Sequence, residues 1–379
     1  MVAALVGTLT GACAGAPVSS AVAAPKVVAP PAPARPPASP VVLRGGTVWT
    51  ATGAILETTD LLLRDGRIAA IGVGLAVPDG AEVVDLDGRI VTPGLVDMHS
   101  HLGVYAAPAT NAHSDGNEMS GPVQPFVRAI DAFDPEDRSI ARALSGGVTT
   151  ALILPGSGNI MGGEGFYAKL RGRTVAEMAI AHPPRSLKMA MGENPKRIYG
   201  ARTAAPMSRM GHAWLMRKAF LDAATLRDKQ DAWDRSAEAA DRKKPRPDDP
   251  SVQPLVDLLR GQVRLQVHCY EVHDIETLLR IADEFHFQVA AIHHALEAWK
   301  VPELLKSHGV AVATFADLWG FKMEAYDASV HAPRLLDAAG VAVALKSDHP
   351  VIDARELIGE AARAHHYGLP EQQALAAVT

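Results

Sequence analysis

From residue 94 to residue 366 the sequence alternates short apolar runs with helix-patterned stretches, and no other feature narrows the fold as far. "VTTALILPG", "RSLKMAMGEN", "VRLQVHCYEV", "VAAIHHA", "VAVATFAD" and "VAVALKSDHP" read as strands. Between them lie stretches such as "HDIETLLRIADEFH", whose Ile275, Leu278, Leu279, Ala282 and Phe285 fall on one helical face. "FDPEDRSIARALSGG" predicts a helix with Asp134 as N-cap, Pro135 at the first helical position and Gly146 at its end. A longer helical stretch, 207–240, runs into the charged loop "DRKKPRPDDPSVQP". Repeated strand–helix units argue for a parallel sheet. About eight of them, with polar residues at the strand C-termini, fit an α/β fold of the (β/α)8 TIM-barrel type. A doubly wound open sheet is the alternative. No G-x-G-x-x-G turn follows an early strand, which argues against a dinucleotide site.

Ahead of the barrel region the texture differs. Residues 41–92 hold short β-like runs punctuated by GG, TG and DG turn signals, the pattern of a small hairpin-built domain. Residues 93–379 form the barrel. Residues 1–24 are apolar and rich in small residues, with "AVA" before Ala24, and read as a signal-like segment. Export to the periplasm or the extracellular space is therefore expected. "LTGAC", ending at Cys13, resembles a lipoprotein box and raises a lipid-anchored form. Residues 25–40 are a Pro/Ala-rich linker that cannot pack a core. No other run is long and apolar enough to span a membrane. The net charge of −5 argues against nucleic acid as a partner. With only two cysteines, Cys13 and Cys269, neither a disulfide framework nor a four-cysteine zinc site can form.

The chemistry concentrates at the strand ends. In "GLVDMHSHLG", residues 94–103, His99 and His101 sit two residues apart, so one strand face carries both. Later strand ends carry Glu193, His268, the pair His293 and His294, and Asp348. Each has an ordinary alternative: His268 as a hydrogen-bonded core histidine, Asp348 as an N-cap, Glu193 as a solvated turn residue. Together, at the C-terminal ends of successive strands, they would converge on the barrel axis. Imidazole and carboxylate suit zinc and related divalent metals.

These residues, with "RGGTVWT", "LLLRDGRIAAIG", "VTPGLVDMHSHLG", "GGVTTALILPG", "MGENPKRIYG", "VHCYEVHDI", "IHHALEAWKV" and "KSDHPV", resemble the amidohydrolase superfamily, in its exported, imidazolonepropionase-like branch. The match covers nearly all of residues 41–365. The resemblance implies a β-sandwich domain beside the barrel and one or two divalent metals, zinc foremost, in the barrel mouth. It implies His99 and His101 as first-strand ligands, His268 on the fifth strand, His294 on the sixth and Asp348 on the eighth. For the fourth-strand bridging ligand, Glu193 is preferred because it sits at the strand end; Lys188, as a carboxylated lysine, is the competitor, and Glu164 and Lys169 are outside candidates.

The implied reaction is hydrolysis of a C–N bond in an amide or cyclic amide of a small-molecule substrate, such as an N-acyl amino acid or dipeptide. Asp348 would move the proton, and His294 or His268 would steady the oxyanion. A deaminase or an imidazolone-type ring hydrolase is the near alternative, and a non-catalytic binding protein the distant one. "YAAPATNAHSDGNEMSGP", "NIMGGEGFYAKLRG" and "ENPKRIYGARTAAPMSRMG" read as long loops around the mouth. Within the last, Arg197, Tyr199 and Arg209 are candidates to bind a substrate carboxylate. Superfamily members continue past the last barrel helix into a segment that completes the β-sandwich. This chain ends at "EQQALAAVT", so an incomplete sandwich and a fragment of a longer protein are expected. Homo-oligomerisation is left open.

Overall fold

The computed structural model describes residues 39–236 and 245–379; the signal-like segment and nearly all of the linker lie outside them. The first strands are β1 (Val41–Trp49), β2 (Ile55–Arg64), β3 (Arg67–Gly72), β4 (Glu82–Asp85) and β5 (Ile90–Val91). They form one five-stranded sheet in the order β3-β2-β1-β4, with β5 also paired to β1. The turn between β2 and β3 is the expected Asp-Gly: Asp65 and Gly66 sit at φ 53° and 72°, the left-handed pair a two-residue hairpin requires. Val42, Val48, Leu61 and Leu86 are buried, whereas Ile68, Val73 and Ile90 are exposed. Among the described residues no second sheet completes a sandwich.

The barrel is an eight-stranded sheet of β6 (Leu95–Ser100), β7 (Val148–Ile153), β8 (Met161–Lys169), β9 (Arg185–Ala190), β10 (Val263–Cys269), β11 (Val289–His294), β12 (Ala311–Thr314) and β13 (Val343–Leu345). Sheet order follows chain order, and most neighbours pair in parallel. The barrel closes where β6 meets the residues after β13. There Ser100 bridges His349, Asp348 N–H donates to the His99 carbonyl at 2.9 Å, and His101 N–H donates to the His349 carbonyl at 3.1 Å.

One strand departs from the expected repeat. β8 runs antiparallel to both β7 and β9 and is joined to β7 without a helix. The stretch "NIMGGEGFYAKLRG", expected as a loop, is mostly this strand. Its glycines hide it, because they signal a turn in sequence yet serve close packing in the fold. A Cβ on Gly163 would stand 2.4 Å from the Val127 carbonyl oxygen, and one on Gly165 2.7 Å from that of Ile153.

The helices largely fall where their patterns place them. Helix 272–285 buries Ile275, Leu278, Leu279 and Ala282 against the sheet. Helix 209–235 starts at the Ser208 cap, whose hydroxyl accepts from Gly211 N–H at 3.1 Å. The first barrel helix begins later than expected, at Arg138, with Asp137 rather than Asp134 as its cap. The Asp137 carboxylate accepts from the backbone N–H groups of Ser139, Gly103 and Ala107, so the cap also pins the loop after β6.

Candidate metal centre

Strand alternation sends Asp97, His99 and His101 to one side of β6, and all three are buried. Lys188 on β9, His268 on β10, His293 and His294 at the end of β11, and Lys346 and Asp348 after β13 are buried as well. Asp348 is the hub. Its Oδ1 lies 3.1 Å from His99 Nε2 and 3.2 Å from His101 Nε2, and its Oδ2 lies 3.6 Å from His294 Nδ1. His99, His294 and Asp348 each bring a ligand atom within 4.8 Å of the others. His294 and Asp348 hold backbone φ values of 68° and 55°, a left-handed geometry that non-glycine residues adopt at a cost.

Lys188 joins this group through His99. Its Nζ is 3.3 Å from His99 Nε2 and donates to the Pro155 carbonyl at 3.0 Å. Glu193 is placed elsewhere. Gly192, at φ 86°, turns the chain after β9, and Glu193 opens the next helix with its carboxylate 3.5 Å from Lys322 Nζ on the cavity wall. Glu164 pairs with Arg185, and Lys169 donates to Thr150, so neither outside candidate joins the group.

Burial and nearby positive charge dominate the electrostatics. Burial, reinforced by lysines, holds the imidazoles of His99, His268 and His294 well below their ordinary pKa, in the neutral form that ligates metals. Burial likewise lowers Lys188 to about 7, against the pull of Asp348, and Lys346 to about 8. Burial pushes Asp348 upward, but Lys346 and the contact with His101 outweigh it and bring the carboxyl below its usual range.

Lys346 is the site neighbour that strand-end reasoning passed over. Lys346 Nζ lies 3.0 Å from His294 Nδ1 and 3.3 Å from the Phe315 ring centroid. It precedes Asp348 by two positions, the same spacing that singled out His99 and His101. Tyr270 stacks on His294 with ring centroids 4.8 Å apart and planes 6° from parallel.

The donor set fits a cation. His101 Nδ1 is 2.8 Å from the Leu154 carbonyl, which can only accept. In its neutral form His101 therefore presents an Nε2 lone pair to a carboxylate oxygen, two acceptors that a cation reconciles. Both ring nitrogens of His268 and Nε2 of His294 are buried with no hydrogen-bond partner among the described residues. Unsatisfied buried imidazoles of this kind suit metal coordination or contact with a ligand.

A cavity of about 900 Å³ opens over these groups, lined by His101, His268, Asp348, Tyr105, Arg197 and Lys322 among others. Of the three residues expected to bind a substrate carboxylate, Arg197 lines this cavity and is exposed. Tyr199 is committed elsewhere: its hydroxyl donates to the Gly121 carbonyl at 2.7 Å and accepts from Asn159 at 3.1 Å. Arg209 is held by Glu271, Asp274 and Glu324.

No protein-family model matches the chain. A crystal structure of an amidohydrolase from Thermotoga maritima superposes with a TM-score of 0.84 at 36% identity, covering 89% of this chain and 86% of that one. The amidohydrolase tasK of Hapsidospora irregularis is 38% identical over 374 residues, which is 90% of this chain but 38% of that protein. An imidazolonepropionase of Klebsiella pneumoniae is 40% identical over 118 residues, 27% of this chain and 29% of its own length. The chain thus spans well under half of these two curated relatives, yet most of the Thermotoga protein. Near-complete superposition at this identity, on a barrel whose strand ends gather histidines around one aspartate, places the chain in the amidohydrolase superfamily.

Proposed function

We propose that this chain is a metal-dependent hydrolase that cleaves a C–N bond with water. The observation that carries the reading is the convergence of His99 Nε2 and His101 Nε2 on one oxygen of Asp348, with His294 beside the other. His99, His101, His294 and Asp348 would hold the metal, with His268 facing the same space. Zinc is the metal this donor set favours. Lys188 is the fourth-strand ligand in this reading, because its nitrogen lies among these groups whereas Glu193 is paired with Lys322. A carboxylated Lys188 forms when its neutral amine adds to carbon dioxide, making an N–C bond and releasing one proton.

When bound, the metal supplies Lewis acidity and water acidified toward neutral pH. The protein groups do the rest. Asp348 accepts the proton of the attacking water at a carboxylate oxygen and delivers it to the leaving nitrogen. His268, buried and lining the cavity, donates to the developing oxyanion through a ring N–H. Arg197 at the cavity wall pairs with a substrate carboxylate, which favours N-acyl amino acids and dipeptides as substrates.

The test is a hydrolysis screen of N-acyl amino acids, dipeptides and cyclic amides, run on the purified protein before chelation, after it, and after zinc is restored. Release of a carboxylate and an amine, lost on chelation and regained with zinc, is expected. Activity that survives complete metal removal would overturn the metal-centre assignment. Ammonia released from a heterocycle would replace the amide substrate with a deaminase substrate.

A further inference from the structure

Behind the metal-centre residues lies a buried chain of three side chains. Gln266 Oε1 is 2.7 Å from His293 Nε2, and His293 Nδ1 is 2.9 Å from His99 Nδ1. All three are buried, His99 and His293 completely, and their rings meet edge to face with centroids 4.6 Å apart. We propose that Gln266 and His293 act as a tautomer relay that fixes which nitrogen of His99 carries the proton, so that His99 presents its Nε2 lone pair to the metal. The inference rests on the metal-centre reading for its purpose, but its geometry stands without it.

The logic is donor and acceptor matching. The Gln266 oxygen can only accept, so His293 Nε2 must carry its proton. In the neutral ring Nδ1 is then a lone pair. The contact between the two Nδ1 atoms needs one proton, and His99 must supply it. His99 Nε2 is left bare, facing Asp348 and Lys188. His101 reaches the same state by a shorter route, through the Leu154 carbonyl. A backbone carbonyl or a carboxylate commonly orients a ligating histidine. Here a second histidine does so, and it needs Gln266 behind it because an imidazole alone can present either face. His293 is thus a positioning residue, next in sequence to the proposed ligand His294 but serving a different strand.

Tautomer and zinc affinity, measured separately, distinguish the relay from the metal reading. Histidine-selective 15N labelling of the metal-stripped protein, with His99 and His293 assigned by substitution, reports each ring's tautomer. His99 is expected protonated on Nδ1 and His293 on Nε2. Zinc affinity is then measured by chelator competition on the wild type and on Gln266→Met, His293→Leu and His293→Asn. Gln266→Met and His293→Leu remove the relay and should weaken zinc about 10- to 100-fold. His293→Asn keeps an acceptor oxygen near the lost Nδ1 and should stay within a few-fold of wild type. The relay is overturned if wild-type His99 carries its proton on Nε2, or if folded Gln266→Met and His293→Leu bind zinc as tightly as wild type. If wild type takes up no zinc, the metal reading fails, while the tautomer of His99 still decides the relay.

Discussion

The Asp97 carboxylate accepts both the hydroxyl and the backbone N–H of Ser347, a residue 250 positions later in the chain. It also accepts from His99 N–H at 3.3 Å. This clasp sits at the seam where the barrel closes, two residues before His99 on β6 and one residue before Asp348 after β13, so it sets the spacing of the two proposed ligands. Asp97→Ala would strand several buried donors and should cost about 2–4 kcal/mol of stability. Ser347→Ala keeps the Ser347 and His99 backbone N–H groups on Asp97 but removes the acceptor of His349 N–H, and should cost about 1–2 kcal/mol. Denaturant unfolding of the two variants checks the order; a Ser347→Ala loss equal to that of Asp97→Ala would sink the clasp.

Asp348→Asn keeps an oxygen near His99 and His101 but cannot hold a proton in transit. Its metal content should stay near wild type while turnover drops by about 10²–10⁴-fold. Metal analysis and steady-state kinetics on one preparation decide it. A metal-replete Asp348→Asn with wild-type turnover would remove Asp348 from its assigned role.

Lys188→Ala should lose most of its activity and part of its metal. A small carboxylic acid added with zinc should recover a measurable fraction, by filling the space with the lost carboxylate. Glu193→Gln, on the cavity wall, should retain its metal. The opposite pattern, with Glu193→Gln metal-poor and Lys188→Ala replete, would return the bridging role to Glu193.

His212 links stability to pH away from the candidate metal centre. It is fully buried on helix 209–235 with neither ring nitrogen hydrogen-bonded among the described residues. Burial holds its pKa at about 4, against an ordinary value of 6.5. A depressed histidine pKa means that the unfolded chain binds a proton the folded chain refuses. No cost arises above pH 6.5; below it stability falls as the pH drops, levelling off near pH 4 after a loss of about 3 kcal/mol. His212→Phe should flatten that part of the stability curve, as followed by urea unfolding at several pH values. An unchanged slope would mean other groups dominate.

Strand alternation and strand-end polarity pointed from sequence to His99, His101, His268, the pair His293 and His294, and Asp348, all of which are buried in the structure; the preference for His294 within the pair came from the family resemblance. Local pattern carries that information, because a strand face repeats every two residues. The choice between Lys188 and Glu193 was not legible in the same way. It depends on β9 ending at Ala190 and on a left-handed turn at Gly192, which moves Glu193 onto a helix. β8 was lost for a related reason, since its glycines answer to neighbouring backbone that no local window contains. Gln266 and His293 became visible as a pair only once β10 and β11 lay side by side.

The reversed strand β8 has a consequence for how such a barrel can change. The link from β7 to β8 is the short stretch 154–160, and two of its carbonyls are already in use: Leu154 orients His101 and Pro155 holds Lys188. Insertions there would reach the proposed metal ligands directly. Residues 105–121 and 317–328 also border the cavity, through Tyr105 and Asn117 on one side and Phe321 and Lys322 on the other. A library seeking new substrates should diversify those two loops and leave the hairpin at its present length.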